Sequence, residues 1–319
     1  MPDNNIAFVF PGQGSQKVGM LAAAHQHFDA VKETFAEASD VLGYDMWDLI
    51  QNGEPEALNL TETTQPVLLT SSVALWRAWL ALGGAQPTVM AGHSLGEFSA
   101  LVCGGALKFS DAVLLVKQRG AYMQAAVPVG VGAMAAIIGL DDEAINAICE
   151  QTSADSEGVV AAVNFNSPGQ VVIAGHAGTV EQAITALKEA GAKRALPLSV
   201  SAPFHTELMK PAGEMLAEAI KGIEVSSPTI PVVHNVHAQT ETDPGKIAAL
   251  LVEQISSPVQ WTGCVQAMIN LGAQRMVECG PGKVLSGLNR RIDKSLASFS
   301  IEQPDSMDST LAELKRKAS

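Results

Sequence analysis

The sequence predicts a mixed α/β protein that has a mostly parallel sheet and a smaller domain inserted into it. Short apolar strands alternate with amphipathic helices up to residue 127, a different order of elements follows, and the alternation resumes near residue 199. Such alternation is typical of a parallel sheet covered by helices on both faces. We therefore expect a discontinuous large domain (1–127 and 199–305), a small domain (128–198) and a C-terminal tail (306–319).

The first part of the large domain begins with a strand that leads into a glycine-bracketed loop, Pro11-Gly12-Gln13-Gly14-Ser15. A loop at the end of such a strand usually lines a site. A later helix has its start signal in Thr64-Gln65-Pro66 and its stop in Gly83-Gly84. The predicted elements are a strand from Ile6 to Phe10, a helix around Leu21 to Leu42, a helix from Pro66 to Leu82 and a short buried strand from Thr88 to Ala91.

The small domain has its own order of elements. This order is β-α-β-β-α-β, which is typical of a ferredoxin-like unit. Its elements are predicted at Ala133 to Ile138, Asp141 to Gln151, Val159 to Phe165, Gln170 to Ala174, Thr179 to Ala190 and Lys193 to Ser199. The large domain resumes with Met209 to Ile220, Ile230 to Val236, Ile247 to Ile255 and Met276 to Cys279, and the tail contains one weak helical pattern at Leu311 and Leu314.

Composition excludes several classes of protein. Hydrophobic residues make up 47% of the 319 residues, so the chain folds, but no apolar run approaches the length of about eighteen residues that a membrane helix needs. The net charge of −13 argues against nonspecific binding to nucleic acid or to anionic membranes. The four cysteines are far apart in sequence, which indicates neither a disulfide framework nor a zinc site. We expect a soluble protein of the cytoplasm.

The segment Gly92-His93-Ser94-Leu95-Gly96 has the layout of a nucleophile elbow, in which a serine lies on a sharp turn between a strand and a helix. The turn would direct the amide of Leu95 toward an oxyanion formed at Ser94, and the positive end of the following helix would favour that charge. The alternative is an ordinary helix cap, because Ser94-x-x-Glu97 also fits a capping box.

Arg119 has apolar residues at all four neighbouring positions on its predicted helix, namely Leu115, Val116, Tyr122 and Met123. An arginine is rarely buried without an anionic partner. This partner is either a glutamate elsewhere in the fold, in a structural salt bridge, or the carboxylate of a substrate, held by the guanidinium fork.

A serine nucleophile needs a base, and His205 is the candidate among seven histidines. The strand that ends near Val200 breaks at Pro203, and His205 opens the next helix, which is a strand-end location typical of sites in α/β sheets. His93 adjoins the serine but is expected to point elsewhere. If His205 is the base, the rate of acylation should rise with pH as the imidazole loses its proton. The other histidines lie in a polar helix (His25 and His27), after a strand of the small domain (His176) or on one predicted strand (His234 and His237).

With these motifs in place, the chain resembles the malonyl-CoA:acyl carrier protein transacylases of fatty acid synthesis over nearly its whole length. The resemblance implies an α/β-hydrolase-like large domain with a ferredoxin-like small domain. The matching segments are Phe10-Pro11-Gly12-Gln13-Gly14-Ser15-Gln16, Gly92 to Glu97, Gln118-Arg119-Gly120, Asn166-Ser167-Pro168-Gly169-Gln170, Pro203-Phe204-His205, Pro258-Val259-Gln260-Trp261 and Gly280-Pro281-Gly282-Lys283.

The resemblance also implies roles for individual residues. Ser94 is then the nucleophile, His205 the base and Arg119 the ligand of the malonyl carboxylate. The backbone amides of Gln13 and Leu95 form the oxyanion hole. In Val252-Glu253-Gln254-Ile255, Gln254 matches the glutamine whose main-chain carbonyl orients the histidine, which gives a Ser-His dyad. Phe204 resembles the residue found in malonyl-selective members.

The implied reaction is ping-pong transfer of a malonyl group from malonyl-CoA to the phosphopantetheine thiol of acyl carrier protein, through a malonyl-serine. The resemblance implies no metal and no cofactor, and we expect a monomer. A polyketide pathway remains open as the destination, and so does a serine esterase or thioesterase as another class of enzyme. An acidic carrier protein would need a local basic patch, for which the candidates are Lys193, Arg194, Lys283, Arg290, Arg291 and Lys294.

Overall fold

The computed structural model describes residues 5–200 and 202–316, which form two β-sheets and the helices packed on them. A short 3-10 helix, Glu207–Met209, precedes α10. In chain order the elements are β1 (Ile6–Phe10), α1 (Ala22–His27), α2 (Asp29–Leu42), α3 (Met46–Asn52), α4 (Pro55–Asn59), α5 (Thr61–Ala81), β2 (Val89–Gly92), α6 (Leu95–Cys103), α7 (Phe109–Ala125), β3 (Gly132–Ile138), α8 (Asp142–Ala154), β4 (Val160–Ser167), β5 (Gln170–His176), α9 (Ala177–Glu189), β6 (Arg194–Pro197), α10 (Lys210–Ile220), β7 (Val232–Val233), α11 (Pro244–Gln254), α12 (Trp261–Asn270), β8 (Arg275–Glu278), α13 (Val284–Ile292), β9 (Ala297–Ser300) and α14 (Pro304–Arg316).

The larger sheet is parallel throughout and has the strand order β7-β2-β1-β8-β9. All five residues of β1 are buried, as expected for a central strand covered on both faces. Phe8 and Phe10 join the core beneath α5, α6 and α7, whereas Ala7 and Val9 join a separate core beneath α12 and α13. The predicted parallel sheet with helices on both faces is confirmed.

The smaller sheet is antiparallel and has the strand order β4-β5-β3-β6. Its elements follow the predicted order β-α-β-β-α-β, and α8 and α9 cover one face over a core that includes Ile137, Ile173 and Leu187. Strand β4 contacts the segment between α11 and α12 directly, because Val259 N donates to Val163 O (2.8 Å) and Phe165 N donates to Val259 O (3.0 Å).

Two helical regions differ most from their predicted bounds. The predicted helix from Leu21 to Leu42 is divided into α1 and α2 at Phe28, whose backbone is extended and whose side chain is buried in the core. Helix α5 begins at Thr61, so Pro66 lies inside it rather than at its start. The proline removes one backbone hydrogen bond, but α5 is buried along most of its length, and this packing outweighs the loss.

Helices α3, α4, α12 and α13 and strand β9 have no counterpart among the elements predicted from the sequence. In the C-terminal region the single weak helical pattern corresponds to α14, which runs for 13 residues and contributes Met307, Leu311 and Leu314 to the main core. Over the described residues, no helix combines the length and the apolar character needed to cross a membrane. The four cysteines are free, and three of them are buried.

Replacement of Met307 by alanine should lower the free energy of unfolding by about 2–5 kcal/mol, because a fully buried methionine side chain leaves a cavity. Urea denaturation would measure the loss, with Asp308→Ala as an exposed control on the same helix that should change stability by less than about 0.5 kcal/mol. Equal effects of the two substitutions would show that α14 contributes nothing through its packing.

Candidate active site

Ser94 lies between β2 and α6 with φ 51° and ψ −108°, a strained conformation for a residue with a side chain. The flanking glycines are needed because the backbone segments approach closely. A Cβ atom on Gly92 would lie 1.9 Å from Gly96 C and O, and one on Gly96 would lie 2.0 Å from Phe10 O. The strained elbow that the sequence predicts is confirmed.

The side chain of Ser94 does not cap α6 but contacts a histidine. Ser94 Oγ lies 2.8 Å from His205 Nε2, and His205 Nδ1 lies 2.9 Å from the main-chain oxygen of Gln254. Because a carbonyl oxygen can only accept, Nδ1 carries the proton and Nε2 is free to accept the hydroxyl hydrogen. The geometry is that of a serine activated by a base that a backbone carbonyl orients.

His205 is buried, and its backbone has a positive φ of 65°. Burial, followed by the positive charge of Arg119, lowers the pKa of His205 to about 3, while the hydrogen bond to Gln254 acts in the opposite direction. The imidazole is therefore neutral throughout the physiological range. The rise of acylation rate with pH that the sequence analysis expected should consequently lie in the acidic range.

Arg119 on α7 is 1% exposed and lies beside Ser94. Its Nη2 donates to Gln254 Oε1 (2.8 Å) and approaches Ser94 Oγ (3.3 Å), and its Nη1 donates to Gln65 Oε1 (2.8 Å). Its Cζ lies 5.2 Å from the centre of the Phe98 ring. Two neutral amides and an aromatic ring therefore surround the guanidinium.

No carboxylate of the described residues forms an ion pair with Arg119. Within these residues, the structural salt bridge to a glutamate, which was the alternative at the level of sequence, is therefore not formed. Desolvation lowers the pKa of Arg119 to about 10, an effect opposed by the charge of Glu97. The side chain thus remains a cation at neutral pH. Its buried Nε has no hydrogen-bond partner among the described residues, which leaves donor capacity for an anion.

A cavity of about 110 Å³ connects these groups. Gln13 from the loop after β1 and Leu95 at the start of α6 both line it, and the first amides of a helix have no acceptor within the helix. Their role as an oxyanion hole stays a prediction. The full lining is Gln13, Gln65, His93, Ser94, Leu95, Arg119, Met123, Met134, Asn164, Leu198, Val200, Phe204 and His205.

The sequence matches the acyl transferase domain family over residues 7–306. It is also similar to the malonyl CoA-acyl carrier protein transacylase of Salmonella typhimurium, with 56% identity over 97% of this chain and 99% of that protein. The chain belongs to the malonyl CoA-acyl carrier protein transacylase family.

Solved structures of this transacylase family have the same fold. An acyl carrier protein S-malonyltransferase from Vibrio cholerae is 55% identical, superposes with a TM-score of 0.94, and is matched over 96% of this chain and 99% of its own. A malonyl-transacylase solved in complex with a type II PKS acyl-carrier protein is 51% identical, with a TM-score of 0.95 over 97% and 99% of the two chains.

Several residues of this transacylase site were missed or misread in the sequence. Asn235 fixes the elbow, because its Oδ1 accepts from Ser94 N (2.7 Å) and its Nδ2 donates to Gly92 O (2.7 Å). His93, expected to point away, lines the cavity and has Nε2 2.8 Å from Asn166 Oδ1. The Ser-x-x-Glu pattern predicted Glu97 as a residue of a capping box, whereas the structure places it in the core behind the elbow. No local pattern points to Asn235 or Gln65.

The reaction of Ser94 with a fluorophosphonate probe should be nearly independent of pH between about pH 5.5 and about pH 8. His205 can accept a proton only in its neutral form. Because its pKa is about 3, the ring is already neutral at about pH 5.5, the lower end of this range. An imidazole with an unperturbed pKa would instead give a roughly tenfold increase. Labelling rates across this range, with His205→Ala as the slow control, would test this, and an inflection near pH 6.5 would contradict it.

Proposed function

We propose that this acyltransferase transfers a malonyl group from malonyl-CoA to the phosphopantetheine thiol of acyl carrier protein, through a malonyl-serine at Ser94, in fatty acid synthesis. The observation that carries the proposal is the buried cation Arg119, whose Nη2 lies 3.3 Å from Ser94 Oγ and which has no carboxylate in contact among the described residues. The names of the similar proteins, which are malonyl CoA-acyl carrier protein transacylases, support it.

In the first half-reaction, Ser94 Oγ transfers its proton to His205 Nε2 and attacks the thioester carbonyl. The amides of Gln13 and Leu95 stabilise the negative charge of the tetrahedral intermediate. The C–S bond then breaks, and His205 returns the proton to the sulfur of coenzyme A. In the second half-reaction, His205 removes the proton of the phosphopantetheine thiol, the thiolate attacks the malonyl-serine, and Ser94 regains its proton.

Arg119 selects the acyl group in this scheme. In a malonyl group, the free carboxylate is separated from the reacting carbonyl by one methylene, so a cation in contact with the nucleophile is within reach of it. The unpartnered Nε and the Nη groups can bind a carboxylate in a bidentate manner. We infer that Phe204, which lines the same cavity, restricts substitution at that methylene.

A serine esterase or thioesterase is the main alternative class. Such enzymes use a carboxylate as the third member of a triad, whereas His205 Nδ1 is paired with the main-chain oxygen of Gln254. A buried cation beside the nucleophile would also have no role with uncharged acyl groups. Both features favour a transferase with a Ser-His dyad. A polyketide carrier protein is the second candidate acceptor, since one similar structure contains a type II PKS acyl-carrier protein.

We also propose that the larger unit (1–127 and 199–305) is α/β-hydrolase-like and that the smaller one (128–198) is an inserted ferredoxin-like domain. The elbow after β2 in a parallel sheet supports the first assignment, and the antiparallel order β4-β5-β3-β6 supports the second. The tail (306–319) begins within α14. We expect a cytoplasmic monomer. We also expect no requirement for a metal or cofactor, because side chains supply the nucleophile, the base and the cation.

The carrier protein is proposed to dock on the basic patch, defined as Lys193, Arg194, Lys283, Arg290, Arg291 and Lys294. All six side chains belong to exposed residues, and none forms an ion pair with another described residue. Arg291 contacts Gln170 of the smaller unit. Gln170 and α13 residues line a second cavity of about 240 Å³, which also borders His93. The patch thus lies beside a route toward the site.

Incubation with malonyl-CoA should add the mass of one malonyl group to the wild-type protein but none to Ser94→Ala, because the substitution removes the nucleophilic oxygen. Intact-mass spectrometry would measure this. Ser15→Ala, in the loop that bears Gln13, is the matched control and should still be labelled. A malonyl adduct on the Ser94 variant would show that another group is the nucleophile.

Arg119→Ala should raise the transition-state free energy of malonyl transfer by roughly 2 to 5 kcal/mol, as expected when one partner of a buried charge pair is lost. Acetyl transfer, which involves no carboxylate, should fall far less or rise. Steady-state kcat/KM values for both acyl groups would provide the comparison. Equal losses for malonyl and acetyl groups would mean that Arg119 serves only the structure.

Reversal of Arg290 and Lys294 to glutamate should raise the KM for carrier protein and leave acylation by malonyl-CoA nearly unchanged, because charge–charge attraction acts on docking. The wild-type KM should also rise with salt, which screens such attraction over about 10 Å at about 0.1 M. Lys188→Glu with Lys221→Glu is the control of equal charge on other elements. An unchanged KM in the patch variant, together with no dependence on salt, would reject the docking surface.

A further inference from the structure

A buried carboxylate lies directly behind the site. Glu97 on α6 is fully buried, and its Oε1 lies 2.7 Å from His234 Nδ1. Its Oε2 accepts from Asn235 N (2.9 Å) and from Gln254 Nε2 (2.8 Å). Oε2 thus accepts two hydrogen bonds, and the direction of the bond at Oε1 depends on the tautomer of His234. The proposed reaction assigns no role to this group.

His234 does not neutralise this charge. Its Nε2 is buried and has no hydrogen-bond partner among the described residues. A protonated imidazole would bury an unpaired N–H together with a positive charge, which is costly. The neutral ring, with its proton on Nδ1 facing Glu97, fits these contacts. The carboxylate therefore retains its negative charge within the core.

Gln254 connects this anion to the cation of the site. Its side-chain Nε2 donates to Glu97 Oε2, and its Oε1 accepts from Arg119 Nη2 (2.8 Å). The amide thus lies between the two buried charges, which are separated by one side-chain group rather than paired directly. The charge of Glu97 favours the ionised form of Arg119.

We propose that Glu97 is the resident counter-charge of Arg119 and that it limits how tightly the site holds a carboxylate-bearing acyl group. This inference depends on the proposed function, since it concerns the malonyl-serine. In that intermediate, the acyl carboxylate and Glu97 are two anions near one guanidinium, and their repulsion raises the free energy of the acyl-enzyme. Glu97 is then a positioning and tuning residue that acts through Gln254 and does not touch the substrate.

Such tuning suits a transferase. An acyl-enzyme bound too tightly would accumulate and would pass its acyl group slowly to the second thiol, since only interactions that are stronger in the transition state accelerate a reaction. An ion pair between Arg119 and the substrate selects the acyl group but also stabilises the intermediate. A fixed anion nearby reduces that stabilisation without abolishing the selection, because Arg119 still favours a carboxylate over uncharged acyl groups.

Two isosteric substitutions change the charge around Arg119 in opposite directions. Glu97→Gln removes the anion and keeps two of its contacts, since the amide oxygen accepts from Asn235 and Gln254. Its NH₂ group faces His234 Nδ1, which accepts only when the ring proton lies on the unpartnered Nε2. Gln65→Glu adds an anion at the group that already accepts from Arg119 Nη1, and it loses only a weak contact of 3.7 Å to Met123 Sδ.

The measurement is the equilibrium between acyl-CoA and acyl-enzyme, read by intact mass at fixed ratios of acyl-CoA to free coenzyme A. Glu97→Gln should shift it about three- to tenfold toward the malonyl-enzyme, and Gln65→Glu should shift it by a similar factor away. The acetyl-enzyme equilibrium should change less than about twofold in both. Glu278→Gln, another buried carboxylate that accepts from Ser286 N (2.8 Å), should leave both equilibria unchanged.

Shifts of opposite sign that are confined to the malonyl group would support the proposal. Equal shifts for malonyl and acetyl groups, no shift in either variant, or shifts of one sign in both would overturn it. If one variant does not fold, the sign obtained with the other decides. A wild-type protein that forms no malonyl-enzyme would reject the proposed function itself, whereas a wild type that forms it with unresponsive variants rejects only the role of Glu97.

Discussion

The site depends on the hydrogen bonds of Gln254, the last residue of α11. Its main-chain oxygen orients His205, its side-chain oxygen binds Arg119, and its side-chain nitrogen donates to Glu97 and, over 3.1 Å, to Ser94 O. One buried residue therefore positions His205, Arg119 and the backbone of Ser94 together. A change in the position of α11 would alter all three, which couples the geometry of catalysis to the packing of the core.

The parallel sheet brings these residues together although they are far apart in sequence. The loops after β1 and β2 leave the same edge of the sheet and supply Gln13 and Ser94, because neighbouring parallel strands end side by side. Strand β7 is the neighbour of β2, and Asn235 follows it. Its side chain completes the arrangement by bonding the elbow backbone at Gly92 O and at Ser94 N. The strain of the elbow is thus balanced by hydrogen bonds within the same layer.

Much of this could be predicted from the sequence. Apolar periodicity predicts strand β1 and the order of elements in the smaller unit. The elbow is predicted by its glycines, which are required where backbone segments approach closely. All of these signals are local in sequence. The break at Phe28 and the start of α5 before Pro66 could not be predicted, since tertiary burial overrides local preference there. The partners of Arg119 could not be predicted either, because the pairing of Gln65 with Arg119 depends on how α5 packs against α7.

The backbone hydrogen bonds between β4 and Val259 have a further consequence. They join the smaller sheet to the segment that leads into α12, so the wall of the cavity that carries Met134 and Asn164 cannot swing away without breaking main-chain pairs. The smaller sheet is then tied to the rest of the site as a partition. Substrate range in such an enzyme would change through replacement of side chains along that partition, one residue at a time.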